Sequence, residues 1–157
     1  MTVISVAYAT PRSGIDGFVD AWTALGGTVE IVQPTAVDDA SRRWCGAYGA
    51  APAATAECAV VRATAAIAQT GSVVVDTATG GERGRSLLPP KVAFVIDAAT
   101  IVDTPSGVLR NRQRWWPDGL PSQIVFVTGP SRSADIEMTL TIGVHGPGTV
   151  HAIIVQE

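Results

Sequence analysis

Short apolar runs alternate along the chain with segments in which apolar residues recur every three or four positions. Continuous apolar runs are typical of strands buried on both faces of a parallel sheet, whereas the wider spacing is that of one helical face. The predicted strands lie at 3–7, 28–32, 58–61, 72–76, 92–96, 123–128 and 150–155. This alternation predicts a single domain over residues 1–157 with a three-layer α/β fold, in which a mainly parallel sheet carries helices on both faces.

The first predicted helix has the clearest pattern. Apolar residues recur at helical spacing from Ile15 to Leu25, and Gly26 and Gly27 follow in the position of a left-handed cap. Together with the strands before and after it, this helix predicts a βαβ unit with parallel strands.

Three further helices are predicted, at 36–47, from Pro105 to a stop at 117–119, and directly after the strand at 123–128. The alanine-rich segment 50–68 is ambiguous, because alanine favours a helix while its β-branched residues favour a strand. Our interpretation is a strand followed by a short helical or extended turn.

The stretch VTGPSRSADIE directly follows the strand predicted at 123–128 and is the strongest candidate for a binding loop. Gly129 lets the backbone approach a ligand, either serine can cap a helix, and the exposed backbone N–H groups beside Arg132 suit a carboxylate or phosphate. The two acidic residues would then lie near the first turn, where the helix dipole favours them. The alternative is an ordinary cap, in which Arg132 pairs with one of those carboxylates.

Two other segments carry candidate chemistry. His145 lies in GVHGPG, where glycine turns suit an imidazole that transfers protons, although a histidine that only binds a backbone carbonyl would give the same pattern. Arg83 and Arg85 lie in the glycine-rich loop TATGGERGRS, which matches neither the dinucleotide nor the P-loop pattern. These arginines either close over an anionic ligand or belong to a mobile loop.

Composition and charge exclude several classes. Hydrophobic residues make up 46% of the 157 positions and charged residues 16%, which excludes a disordered chain. The net charge is -3 and the basic residues are scattered, so nucleic-acid binding is not expected. No run approaches a membrane span and the first residues lack a signal-peptide pattern, which predicts a soluble cytoplasmic protein.

Cys45 and Cys58 are the only cysteines. Two thiols cannot hold a four-thiolate iron-sulfur cluster or a closed zinc site, so we predict no metal and no cofactor on this chain. Because a cytoplasmic compartment is reducing, we expect both cysteines to be ordinary unpaired thiols.

Four segments together resemble a known family. They are AIAQTGSVVV at 66–75, RSLLPP at 85–90, the stretch VTGPSRSADIE, and GVHGP before the last apolar run. This combination is similar to the LUD domain family, in the type found in lactate utilization protein C. The resemblance implies a fold like that of the CoA-transferase, ribose-phosphate isomerase and glucosamine-phosphate deaminase group.

The resemblance also implies a role in the oxidation of L-lactate to pyruvate, as a small subunit that acts with iron-sulfur partner proteins. The clusters would then belong to the partners. Members of the family carry more helical sequence near the N-terminus, which leaves self-association into a homo-oligomer open. A different interpretation is a stand-alone enzyme or binding protein for a small anionic metabolite that is phosphorylated, a carboxylate or CoA-linked. A third makes the domain a scaffold in which Trp115 and Trp116 anchor an interface rather than fill the local core.

The predicted site residues fall into three sets. His145 is the candidate proton acceptor. The predicted substrate-binding residues are Gly129, Ser131, Arg132, Ser133, Asp135 and Glu137. The candidate loop contacts are Thr70, Gly71, Arg83 and Arg85.

Overall fold

A computed structural model describes residues 13–46, 57–77, 89–134, 140–142 and 146–157. In chain order the strands are β1 (Thr28–Val32), β2 (Cys58–Arg62), β3 (Ala65–Ile67), β4 (Ser72–Asp76), β5 (Lys91–Asp97), β6 (Ile101–Val102), β7 (Ile124–Val127), β8 (Arg132–Ala134), β9 (Leu140–Ile142) and β10 (Thr149–Val155). The helices are α1 (Gly14–Ala24), α2 (Val37–Gly46), α3 (Pro105–Arg110) and α4 (Arg112–Trp115).

A four-stranded sheet with the order β1, β10, β5, β2 forms the centre of the fold, and all three of its strand pairings are parallel. Its two inner strands, β10 and β5, are the longest strands in the described part of the chain, and Phe94 and Ile154 on them are fully buried. The predicted mainly parallel sheet flanked by helices is therefore confirmed. The predicted strand at 3–7, and with it the βαβ unit, lies outside the described residues.

A second four-stranded sheet, with the order β6, β3, β4, β7, was not predicted. The pairings of β3 with β4 and of β4 with β7 are antiparallel, whereas β3 and β6 are parallel. The segment that the sequence left open between a helical and an extended turn is thus a strand. A tight connection that includes Gly71, with φ 59°, reverses the chain between β3 and β4.

Three hydrophobic clusters hold these elements together. α1 and one face of the second sheet cover one side of the parallel sheet, where Phe18 and Trp22 pack near Phe94. α2 covers the other side of the parallel sheet. Val108 of α3 and Trp116 cover the outer face of the second sheet, so Trp116 fills the local core rather than anchoring an interface.

The predicted first helix is confirmed as α1, and Gly26 follows it with φ 95° as the sequence indicates. Trp22 fixes the end of this helix to the start of β1, because its indole Nε1 donates a hydrogen bond of 2.9 Å to the backbone oxygen of Thr28. At the other end, the backbone N–H of Gly14 donates to a carboxylate oxygen of Asp103.

Two helix predictions need correction. The single helix predicted from Pro105 is interrupted at Asn111 and continues as α4. The helix predicted after 123–128 is wrong over residues 132–134, because these form β8 and pair antiparallel with β9. The backbone N–H of Ser131 bonds to the oxygen of Pro147 at 2.8 Å, so the capping pattern is overridden by pairing with a distant part of the chain.

The prediction of unpaired thiols is also wrong, because Cys45 and Cys58 form a disulfide. The bond joins the last turn of α2 to the first residue of β2, and the two Cα atoms are 5.8 Å apart. The expectation rested on an assumed reducing compartment, and that assumption does not depend on how close the two cysteines lie in the fold. In the chain-entropy model, closing a loop of this size contributes about 3 kcal/mol to the free energy of unfolding.

Candidate functional site

Two of the predicted motifs meet at one end of the second sheet. β4 and β7 are antiparallel, with Val73 opposite Val127, so the residue that starts β4 lies beside the residue that follows β7. Hydroxyl groups line this junction. Ser72 Oγ lies 2.8 Å from Thr128 Oγ1 and 2.7 Å from Thr70 Oγ1, which makes a chain of three hydrogen-bonded hydroxyls.

The two glycines of this junction are required by close packing on α1 and on Leu25, the residue that follows it. Gly71 has φ 59°, and a Cβ atom on it would lie 2.6 Å from the backbone nitrogen of Trp22. Gly129 has φ 76°, and a Cβ atom on it would lie 2.9 Å from Cβ of Leu25. The structure thus brings Thr70, Gly71 and Gly129 together, and packing alone accounts for both glycines.

The VTGPSRSADIE and GVHGP motifs also meet. Besides the hydrogen bond from Ser131 to Pro147, a Cβ atom on Gly146 would lie only 3.2 Å from Cβ of Ser131. Gly146 follows His145 in the sequence, and Ser131 precedes Arg132. The backbones that carry the TGPSR and GVHGP motifs are therefore in contact at this point.

The remaining predicted site residues are not all described. The structure gives the backbone of Arg132 and Ser133 in β8, where the predicted helical capping does not occur. The residues outside the described ranges are Arg83, Arg85, Asp135, Glu137 and His145.

A buried carboxylate that the sequence analysis missed lies at the end of β4. Asp76 is 5% exposed, and its Oδ2 accepts hydrogen bonds from Thr64 Oγ1 at 2.5 Å and from Trp116 Nε1 at 2.7 Å. This network connects the second sheet to the segment after α4. A single aspartate at the end of an apolar strand resembles an ordinary strand end, so the only signal was the apolar run itself.

A second buried group that the sequence analysis passed over is His151 on β10. Its ring stacks on Trp44 at 4.4 Å between centroids, and its Nδ1 lies 2.7 Å from Thr28 Oγ1. Its Nε2 is 4.0 Å from a carboxylate oxygen of Glu30, which also pairs with Arg43. Burial lowers the pKa of His151 below the ordinary value of 6.5, and the weaker attraction of Glu30 acts in the opposite direction.

The lowered pKa predicts a stability that decreases in mild acid. Below pH 6.5 the unfolded chain binds a proton at His151 that the folded chain does not. The free energy of unfolding therefore decreases as the pH decreases, until the pH reaches the lower pKa of the folded state. Above pH 6.5 this contribution is constant. The slope from this group has an upper limit of about 1.4 kcal/mol per pH unit. Urea unfolding between pH 7.5 and 5.5 should therefore show a steeper loss in the wild type than in a His151→Asn variant, and equal slopes would contradict the assignment.

The described part of the chain contains neither a candidate membrane-spanning helix nor a candidate metal-binding cluster. None of its helices has the length and hydropathy of a membrane span. Its histidine, cysteine and acidic residues form no group of three or more that could bind a metal ion.

The architecture defines an α/β domain in which a parallel sheet lies between a helix and a second, mixed sheet. A crystal structure of a DUF162 family protein from Deinococcus radiodurans has this fold, with a TM-score of 0.66, 20% identity, and coverage of 90% of this chain and 96% of that one. The chain belongs to the LUD domain family, whose model matches residues 50–155.

The curated relatives that match are longer proteins. Lactate utilization protein C of Halalkalibacterium halodurans is 42% identical over 93 residues, which cover 58% of this chain and 40% of that protein. Lactate utilization protein C of Macrococcus caseolyticus is 37% identical over 119 residues, covering 73% of this chain and 52% of that protein. The chain therefore spans about half, or less, of the length of these relatives.

Proposed function

We propose that this chain acts in lactate utilization as a LUD domain that binds a small carboxylate. The observation that carries the proposal is the 42% identity to a protein named lactate utilization protein C, within a family match that contains all four motifs. The contacts among three of these motifs support it, because segments separated by many residues come together at the Ser72–Thr128 and Ser131–Pro147 junctions.

The chemistry that we propose is the oxidation of L-lactate to pyruvate. This reaction breaks the Cα–H and O–H bonds of the substrate, forms the ketone, and releases two protons and two electrons. We assign the electrons to iron-sulfur partner proteins, since the two cysteines of this chain are joined in a disulfide and cannot supply four thiolates. This chain contributes the substrate site.

We place that site at the Ser131 and Gly146 junction. Arg132 binds the substrate carboxylate, and His145 accepts the hydroxyl proton. The contact between the neighbouring residues Ser131 and Gly146 supports this pairing of roles. The helix N-terminus that the sequence suggested is not part of the site, so the arginine must supply most of the attraction for the anion.

An Arg132→Ala variant tests this placement. Loss of a charge-assisted contact should weaken L-lactate binding by about 1.5 to 3 kcal/mol, measured by calorimetric or thermal-shift titration. Arg110→Ala is the matched control, because Arg110 is an exposed arginine on α3. Equal affinity of wild type and Arg132→Ala would refute the placement.

The role of the partners needs a separate experiment. If the chain acts only with iron-sulfur proteins, the isolated chain should not oxidise L-lactate in the presence of an artificial electron acceptor. Turnover by the isolated chain would instead favour the alternative of a stand-alone enzyme.

A further inference from the structure

A small cavity lies at the carboxyl edge of the parallel sheet, and none of the described residues that line it belongs to the four motifs. Its volume is about 180 Å³, and it is lined by Arg62, Ala63, Asp97, Thr100 and Val155. Ligands of open α/β sheets bind outside the carboxyl ends of the strands, where successive loops diverge. The position of this cavity therefore matches that rule better than the position of the motifs does.

The register of the sheet explains why these residues converge. β10, β5 and β2 are adjacent and parallel, with Asp97 opposite Val155 and Arg62 opposite Val95. β5 thus extends past the end of β2 and carries Asp97 beyond Arg62. A turn of 3-10 helix over 98–100 then folds back, and Thr100 Oγ1 donates a hydrogen bond of 2.7 Å to the backbone oxygen of Asp97.

The cavity is lined by two opposite charges that do not neutralise each other. Within the described ranges, neither Arg62 nor Asp97 takes part in an ion pair. One oxygen of the Asp97 carboxylate, Oδ1, accepts a hydrogen bond of 2.9 Å from the backbone N–H of Ala99. That hydrogen bond fixes the carboxylate beside the cavity while Oδ2 stays available to a donor.

These groups select a ligand with an anionic end and a hydrogen-bond donor next to it. A guanidinium can hold a carboxylate through two parallel hydrogen bonds, and a carboxylate accepts from a hydroxyl. The volume is well below the roughly 300 Å³ at which pockets for drug-sized ligands begin, so the ligand has only a few heavy atoms.

We propose that this cavity is a second small-acid site, which binds a 2-hydroxy acid with its carboxylate on Arg62 and its hydroxyl donated to Asp97. The site follows from the geometry, whereas the choice of a hydroxy acid over other ligands with the same two ends rests on the proposed function. The two sites are separate. Pro147, which contacts Ser131, lies two residues before the start of β10, whereas Val155 of the cavity is the last residue of β10. About 20 Å of strand therefore separates the two sites.

The test is a titration of the full chain with L-lactate, pyruvate and L-alanine, followed by calorimetry and by the backbone amide resonances of Ala63 and Thr100. Wild type should bind L-lactate more tightly than pyruvate, because only the hydroxyl can donate to Asp97, and both resonances should shift. Arg62→Gln should weaken L-lactate binding at this site at least tenfold. Asp97→Asn keeps the acceptor for Ala99 but removes the charge, and it should reduce the preference for L-lactate over pyruvate.

The Arg132→Ala variant separates this inference from the proposed function, and Arg110→Ala again serves as the control for loss of an exposed arginine. Loss of the Ala63 and Thr100 shifts in Arg62→Gln but not in Arg132→Ala supports the cavity site, whatever happens at the motif junction. Binding that depends on Arg132 and not on Arg62 overturns the cavity site and leaves the proposed function standing. Unchanged Ala63 and Thr100 resonances also overturn it. Tighter binding of L-alanine than of L-lactate would overturn the choice of a hydroxy acid, because an ammonium group is a charge-assisted donor to Asp97.

Discussion

Replacing Gly71 by alanine is expected to lower the free energy of unfolding by about 3 kcal/mol or more. The left-handed backbone at φ 59° alone costs an alanine roughly 1 to 2 kcal/mol. The new Cβ atom would also overlap the backbone of α1, at 2.6 Å from the nitrogen of Trp22 and 2.7 Å from the carbonyl carbon of Ala21. Backbone atoms in a helix cannot move aside as the end of a flexible side chain can, so the helix or the β3–β4 connection must shift.

Two other glycines provide a graded comparison for urea unfolding. Gly129→Ala combines a positive φ with a single close contact at 2.9 Å and should have a smaller but clear effect. Gly46→Ala, at the end of α2, would meet no atom within 4 Å and should change stability by less than about 1 kcal/mol. A Gly71→Ala protein as stable as Gly46→Ala would contradict the close packing of the motif on α1.

The stability of these glycine variants also bears on how the AIAQTGSVVV and VTGPSRSADIE motifs are interpreted. A glycine in a candidate binding loop suggests close approach of a ligand, which is how Gly129 was interpreted, and Gly71 was predicted as a loop contact. In the structure Gly71 approaches the backbone of α1, and Gly129 approaches Leu25, the residue that follows α1. Their presence is therefore explained by the fold, and the proposed chemistry depends on the polar residues of the motifs.

Elements with a local pattern could be predicted from the sequence. α1 has a complete apolar stripe followed by a glycine cap, β5 contains the continuous apolar run 92–96, and β10 contains the apolar run 152–155. The second sheet could not be predicted, because parallel and antiparallel partners differ in pairing and not in local composition. β8 was misread for a related reason, since a serine that suits a helix cap also occurs in strands, and the pairing of β8 with β9 has no local sequence pattern.

The position of the candidate site depended on the same missing information. The sequence pattern predicts VTGPSRSADIE beyond the carboxyl end of a strand in the parallel sheet. β7 belongs to the second sheet instead, and the segment after it contacts Pro147, which lies just before the amino end of β10. Because β7 joins the second sheet and runs antiparallel to β4, the described start of the motif lies near the amino edge of the parallel sheet and not beyond its carboxyl edge.

Asp76 and His151 were missed because a buried polar residue has no periodicity of its own. Each lies on a mainly apolar strand, and its partners come from distant segments: Trp116 for the carboxylate, Thr28 and Trp44 for the imidazole. Such groups are recognised only after the pairing of the strands is known.

Replacing Asp76 by alanine is expected to destabilise the protein by roughly 2 to 5 kcal/mol, since two buried donors lose their acceptor at once. The indole N–H of Trp116 and the hydroxyl of Thr64 both donate to Asp76 Oδ2, and neither donor is near bulk water, since Trp116 is 6% and Thr64 8% exposed. Asp76→Asn is the matched variant, because an amide oxygen can still accept from both groups, and it should lose substantially less stability. Urea unfolding of the two variants measures the difference.

A double-mutant cycle shows whether the network explains that loss. Trp116→Phe removes one donor and keeps most of the ring, so it should cost about 1 to 2 kcal/mol in wild type and much less when Asp76 is already alanine. A coupling energy near zero would mean that Asp76 stabilises the fold through other contacts. A positive coupling, together with the milder effect of Asp76→Asn, would show that this carboxylate acts as a buried acceptor that holds the segment after α4 against the second sheet.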